Sequence, residues 1–295
     1  FASDHGVVEE GVTHSPQQIT YQQCCNFASG GGACSLFASL NHATLSVIDV
    51  GVNHNFSKQD AVVDCKIGYG TKNFLKGPAM ERELCLQAME VGRNRVHLAV
   101  KEGAQAIAFG EMGVGNTTSA SAVSAALTNL SVSEITGKGS GLSDTELLHK
   151  VAVIEKALEL HPQRDPLSVL CNLGGYEIAA ICGGMLEAAE ASLPILLDGF
   201  IVTSAALVAN AMDEHLHEYL IPCHQSGMQG HRNMLESLGC GKPLLDLQMQ
   251  LGEGTGALAA WPLVRLASHL LTDMTSFSDA QVTDSTKLLQ SMGLA

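Results

Sequence analysis

A chain of 295 residues, 46% hydrophobic and 16% charged, with a mean hydropathy of +0.16, has the apolar content to bury a sizeable core as one large domain. Its 30 acidic against 16 basic residues give a formal charge of −14 without any lysine or arginine cluster, which argues against nucleic acid and against an anionic membrane surface as partners. Nine cysteines without a C-x-x-C pair, several in apolar surroundings, read as reduced core thiols of a cytoplasmic protein rather than as a disulfide framework.

Residues 1–6 open on a turn signal, without an initiator methionine or signal peptide, so a further N-terminal segment is expected before them. Residues 12–32 carry Cys24-Cys25 and end in Gly30-Gly31-Gly32, the pattern of a helix running into a loop. Residues 44–51 predict a strand ending in Asp49-Val50-Gly51, and the polar stretch 53–76 reads as a surface excursion. Pro78 marks a helix first turn, with Met80, Leu84, Leu86 and Met89 as its apolar stripe. Residues 105–109 predict a second strand, which runs into Gly110-Glu111-Met112-Gly113-Val114-Gly115-Asn116-Thr117-Thr118 and an alanine-rich helix. A glycine- and serine-rich loop, 138–144, precedes a helix over 145–160 that His161-Pro162 breaks. Asp165-Pro166 is an N-cap followed by proline at the first helical position. Gly174-Gly175 interrupts the segment before a helix through 191. A strand over 194–197, the turn Asp198-Gly199 and a helix over 201–212 follow. Asp198 inside this longest apolar stretch makes it strand plus helix rather than a membrane span. Next come a strand over 219–222, His224-Gln225-Ser226 and a helix over 230–238. The apolar run 243–249 reads as a short buried strand leading into Gly252-Glu253-Gly254-Thr255-Gly256, with a helix over 257–271 after it.

Strands alternating with helices imply an α/β fold, a doubly wound, mostly parallel sheet with helices on both faces. Ligands then bind outside the carboxyl ends of the strands. Asp49–Gly51, Gly110–Thr118, Asp198-Gly199, His224–Ser226 and Gly252–Gly256 all fall at such ends and are expected to meet in one crevice. Glu253 on a tight glycine turn is held by the scaffold yet open to a pocket, as a general base must be. A solvated loop acid, or an acid offsetting a helix N-terminus, is the plainer alternative. Gly110–Thr118 resembles a phosphate-cradling loop with Glu111 as a second carboxylate. It lacks the lysine of a P-loop, and Thr118 replaces the third glycine of a dinucleotide fingerprint. Lys150 taken alone reads as a solvated helical lysine. Ser226 lacks a G-x-S-x-G elbow and reads as a hydrogen-bonding residue. His215, His217, His224 and His231 show no H-E-x-x-H or Cys/His spacing, so no metal is expected.

In combination and order these turns resemble the nicotinate-nucleotide:dimethylbenzimidazole phosphoribosyltransferases. The resemblance rests on Phe1–Gly6 with Gly11-Val12, Asp49-Val50-Gly51, Gly77-Pro78-Ala79-Met80, Gly110–Thr118, His161-Pro162, Asp165-Pro166-Leu167, Gly174-Gly175 with Glu177-Ile178-Ala179-Ala180, Asp198-Gly199-Phe200-Ile201, His224–His231 and Leu251–Gly256. It implies transfer of the phosphoribosyl group of nicotinate mononucleotide to 5,6-dimethylbenzimidazole, with inversion at the anomeric carbon, no cofactor and no metal. It also implies a homodimer whose partner subunit helps complete the site. By the same resemblance Glu253 is the general base, with Glu111 and Lys150 near the reacting centre and Met112 against the aromatic base. Gly113, Gly115, Asn116, Thr117, Gly174, Gly175, Asp198, Ser226, Gly252 and Gly254 would bind the substrates. The expected organisation is a single domain over 1–295, a Rossmann-like core of about 40–256 with a small helical part from about 1–35 and 257–295. Met228 stands where the family usually has Glu, and Gln250 where it commonly has Arg. A catalytically degenerate relative that binds a nucleotide or benzimidazole is the alternative these departures leave.

Overall fold

Two parallel three-stranded sheets carry the α/β layer. The computed structural model describes residues 1–139, 141–283 and 285–293, so Ser140 of the expected 138–144 loop and residues 284, 294 and 295 of the expected C-terminal helical part lie outside the described residues. In the first sheet β1 (Ala2–Ser3), β2 (Ile48–Gly51) and β3 (Val63–Asp64) pair in that order. In the second, β4 (Ile107–Ala108), β5 (Ile195–Leu197) and β6 (Leu220–Pro222) do the same. A parallel bridge between Ala2 and Met112 sews β1 to the chain leaving β4, with Ser3 N donating to Met112 O and Met112 N to Phe1 O, each at 3.0 Å. The strands therefore run β3-β2-β1-β4-β5-β6, and the order reverses direction between β1 and β4. In a doubly wound sheet that reversal opens the ligand crevice.

Most of the helices follow the alternation that the sequence predicts, and the short one at Val132–Ile135 is an addition to it. They are α1 (Gln18–Ala28), α2 (Ala33–Leu40), α3 (Arg82–Lys101), α4 (Asn116–Leu127), α5 (Val132–Ile135), α6 (Asp144–Leu160), α7 (Pro166–Leu173), α8 (Tyr176–Glu190), α9 (Phe200–Met212), α10 (His231–Ser237), α11 (Thr255–Asp273) and α12 (Ser285–Ser291). Asp165 caps α7 by accepting from Ser168 N at 2.9 Å, ahead of Pro166. Ser131 and Ser143 close reciprocal capping boxes with Glu134 and Glu146. Helix α8 is buried almost end to end because its Ala179, Ala180, Gly183 and Gly184 let neighbours approach its backbone. Helix α3 takes that place: a Cβ on Gly92 would collide with the Ala180 carbonyl, and one on Gly183 with the Met89 carbonyl.

The chain divides into a compact unit Phe1–Ala260, which holds both sheets, and a second from Trp261 onward. In the second, Leu266, Leu271 and Phe277 are exposed, and His269 pairs with Asp273 at 2.6 Å. Among the described residues no helix is long and apolar enough to cross a membrane.

Four expectations need correction. Ala2–Ser3, assigned to a helical part, form a strand, and the excursion 53–76 contains β3; both strands are two residues long and are specified by backbone pairing rather than by an apolar pattern. The run 243–249 is not a buried strand. It pairs with the chain after β6 through one bridge, His224 to Leu245, and as an outer edge leaves Leu244 and Leu247 exposed. Helix α3 begins at Arg82, not Pro78, because Ala79 and Met80 are drawn into backbone bonds with Asn172 and Cys171. Its buried stripe is Cys85, Ala88, Met89, Gly92 and Val96, with Leu86 outside.

Candidate active site

A cavity of about 330 Å³ opens at the carboxyl ends of β4, β5 and β6, beside the reversal of strand order. Its acidic side is built on the turn before α11. Gly252, Glu253 and Gly254 hold φ of 68°, 66° and 79°, so a glutamate occupies the left-handed region between two glycines. Such a conformation costs a non-glycine residue about 1–3 kcal/mol and persists only where surroundings impose it. Here the Asp198 carboxylate accepts from Gly254 N at 3.2 Å and Ala257 N at 3.1 Å, clamping the turn to the end of β5. Gly110 and Gly256 allow the turn to lie against β4 and against His224 and Asp198, where any Cβ would collide. Gly252 makes room in the same way for the Glu111 carboxylate. Burial raises the pKa of Glu253, and hydrogen bonds from the Cys34 amide and thiol at the start of α2 pull it down.

Two more carboxyls back this turn. Glu111 is buried and accepts from Asn116 Nδ2 at 2.5 Å. Burial first, then the charges of Asp198 and Glu177, pushes its pKa to about 8. Burial takes Asp198 to about 7 in spite of its backbone donors. Glu253 is the least buried of the three and faces the cavity.

The opposite side is rich in donors. The loop from Met112 to Asn116 is pinned at alternate residues: Met112 by β1, Val114 N by Thr20 Oγ1 at 3.0 Å, Asn116 by Glu111. Beneath it the His5 ring bonds Glu177 at 2.6 Å and Ser119 at 2.9 Å. Thr117, at the start of α4, accepts from Lys150 Nζ at 2.9 Å, and Lys150 also reaches Gly137 O at 3.3 Å. Burial alone lowers Lys150 to about 8. The N-terminus of α9 contributes Gly199 to Val202 to the wall. Ser226 is held there by His231, whose Nδ1 accepts from Ser226 N at 3.0 Å, leaving Nε2–H to donate to Thr203 Oγ1 at 3.0 Å. Burial lowers the His231 pKa to about 4, so the ring is a neutral bracket.

Of the residues predicted from sequence, Glu253, Glu111, Met112, Gly113, Gly115, Asn116, Thr117, Asp198, Ser226 and Gly252 line the one cavity. Lys150 stands one hydroxyl behind its wall. Gly254 serves the turn through its bond to Asp198, and Gly174 and Gly175 lie off the wall, the former against Leu170 and the latter against His5 and Glu177. Asp49 does not join the crevice either; it pairs with Lys66 at 2.7 Å and accepts from Gly51 N and Val52 N. No motif marks Thr13, Ser15, Ile19 and Gln23, which wall the cavity near α1. Met228 and Gln250 also line it, and Gln250 Nε2 donates to Gly227 O at 3.4 Å. Among the described residues no three His, Cys, Asp or Glu converge to hold a metal. The arrangement suits a ligand with an anionic group at the starts of α4 and α9 and a proton-bearing or cationic group near the acids.

A family profile described as phosphoribosyltransferase matches residues 1–282. The chain is 42% identical over 286 residues to a nicotinate-nucleotide–dimethylbenzimidazole phosphoribosyltransferase of Janthinobacterium sp. (strain Marseille), covering 96% of this chain and 82% of the relative. It is 44% identical to that of Geotalea uraniireducens (strain Rf4), covering 96% and 81%. The crystal structure of the enzyme of that name from Thermus thermophilus superposes with a TM-score of 0.90 at 43% identity, covering 96% of this chain and 84% of that one.

Proposed function

The chain belongs to the nicotinate-nucleotide–dimethylbenzimidazole phosphoribosyltransferase family, and from that premise we propose how its cavity carries out the reaction. The enzyme is a pentosyltransferase. It moves the phosphoribosyl group of nicotinate mononucleotide to 5,6-dimethylbenzimidazole, giving α-ribazole 5′-phosphate and nicotinate, a step in making the lower ligand of cobalamin. An imidazole-type nitrogen attacks the anomeric carbon as the bond to the pyridinium nitrogen breaks, and that nitrogen keeps the electron pair. The incoming base must shed its N–H proton, and Glu253 takes it. Nicotinate leaves from a cationic ring, so the leaving group needs no acid.

The remaining residues position the two substrates. Met112 and Ile19 offer apolar surface to the flat base. The starts of α4 and α9, with Thr117 and Ser226, take the phosphate, and Lys150 holds Thr117 from behind. Gly113, Gly115 and Gly252 lie in the wall that the ribose meets, and the space of their missing side chains is filled by Ser3 and His5, by Val8 and His5, and by Glu111. Glu111, holding its proton to about 8, lies under the ribose as a hydrogen-bond donor in neutral solution, while ionised Glu253 favours the positive charge that develops on the sugar. The observation that carries this reading is Glu253 on a strained glycine turn, facing the same cavity as the donor-rich helix starts.

Mixing the protein with nicotinate mononucleotide tests it. Nicotinate is expected only when dimethylbenzimidazole is also present, in equal amount to α-ribazole 5′-phosphate. Binding of both substrates without nicotinate would instead make the chain a non-catalytic relative, the outcome that Met228 and Gln250 in the wall would then explain. We further infer that the protein acts in the cytoplasm, in keeping with its nine free cysteines. A homodimer accounts for the exposed Leu266, Leu271 and Phe277. In this reading residues 40–256 carry the core of one phosphoribosyltransferase domain, to which β1, α1 and α2 are added.

A further inference from the structure

The geometry points to Thr20 as a positioning residue whose buried hydroxyl locks the α1 wall of the cavity to its glycine loop, holding the base and nucleotide subsites in register. Thr20 does not line the cavity itself. It lies on α1 between Ile19 and Gln23, both of which do. Its Oγ1 donates to Asp4 Oδ1 at 2.7 Å and accepts from Val114 N at 3.0 Å. Thr20 is 0% exposed and Asp4 1%. Asp4 is itself fixed, with Oδ2 accepting from Asn53 N at 2.8 Å and its own N donating to Gly51 O at 3.0 Å. Because the hydroxyl hydrogen is committed to Asp4, a lone pair points at Val114. That amide is the middle anchor of the loop between Met112 and Asn116, the others being β1 and Glu111. Without Thr20 the Val114 N–H would be buried and unpaired, and the loop would shift to find water or a new acceptor. The lock therefore sets how far the base, lying against α1, stands from the anomeric carbon held over Gly113 and Gly115. A loop shifted from this register holds the nucleotide less tightly, because its backbone groups no longer meet the ligand in place.

This inference rests on the reaction proposed above, and the test separates the two. Steady-state kinetics compare wild type, Thr20→Val, Thr20→Ser and Val96→Ala, a core truncation on α3, at a temperature where far-UV circular dichroism shows each folded. Thr20→Val keeps shape but loses both hydrogen bonds. It is expected to raise KM for nicotinate mononucleotide about tenfold, the worth of one hydrogen bond of about 1.4 kcal/mol. Thr20→Ser restores it to within about twofold, and Val96→Ala lowers thermal stability without moving KM. Wild-type KM for both substrates in Thr20→Val overturns the inference, as does an equal rise in Val96→Ala. Should Thr20→Val fail to fold, amide exchange of wild type decides: nicotinate mononucleotide alone is expected to slow exchange in residues 18–28, and no change there overturns the lock. Wild type that releases no nicotinate sinks the reaction instead.

Discussion

At the scale of single residues the chemistry rests on Glu253, whose left-handed backbone is imposed by Asp198, Gly110 and Gly256. Glu253→Gln keeps size and hydrogen bonding but cannot accept the base's proton. Its kcat should fall by roughly 10²–10⁴ while nicotinate mononucleotide still binds, read by single-turnover assay and calorimetry; near-normal turnover removes Glu253 from the mechanism. The base must be ionised, and burial raises its pKa, so the acid limb of the kcat/KM profile should lie above the ordinary carboxylate range. Cys34→Ala deletes the thiol donor that opposes burial and should move that limb to higher pH; an unmoved limb means the thiol does not reach the carboxylate. Glu253 and Glu111 are legible in the sequence because each sits among glycines after an apolar run. Cys34, Thr20 and His5 are not, since their partners are remote in the chain: Thr20 meets Val114 across 94 residues and His5 meets Glu177 across 172.

At the scale of elements, small residues decide which helices meet. The α3–α8 contact depends on Gly92, where a Cβ would strike the Ala180 carbonyl. Because backbone cannot yield as a flexible side chain would, Gly92→Ala should destabilise by about 1–3 kcal/mol or more, seen as a lower thermal midpoint with KM unchanged; a midpoint at or above wild type contradicts this packing. Helices are readable, since periodicity and the Asp165-Pro166 cap mark them in the sequence. Strands are less so. β1 and β3 have two residues each, too few for a pattern, and the apolar edge at 243–249 imitates a buried strand while leaving Leu244 and Leu247 in solvent.

At the scale of the molecule, the strand order places the reversal between β1 and β4 beside the acids, and burying those acids has a thermodynamic consequence. Glu111 keeps its proton to about 8 in the fold but only to the ordinary carboxylate value when unfolded. Its stabilising contribution is complete below the unfolded value and lost as pH rises through about 8; Asp198 does the same over a window closing at about 7. Lys150, lowered to about 8, acts in the separate window between that value and the ordinary lysine pKa. The thermal midpoint should therefore fall from about pH 5.5 to about pH 8, less steeply in Glu111→Gln; parallel profiles would show that Glu111 is not the buried acid responsible. The central claim, that far-apart glycine turns gather one carboxylate against an incoming heterocycle, is tested most directly by a crystal structure with dimethylbenzimidazole bound. The base should lie there between Met112 and the α1 wall, with a ring nitrogen about 3 Å from a Glu253 oxygen. A base bound with both nitrogens turned away from Glu253, or outside this cavity, would contradict it.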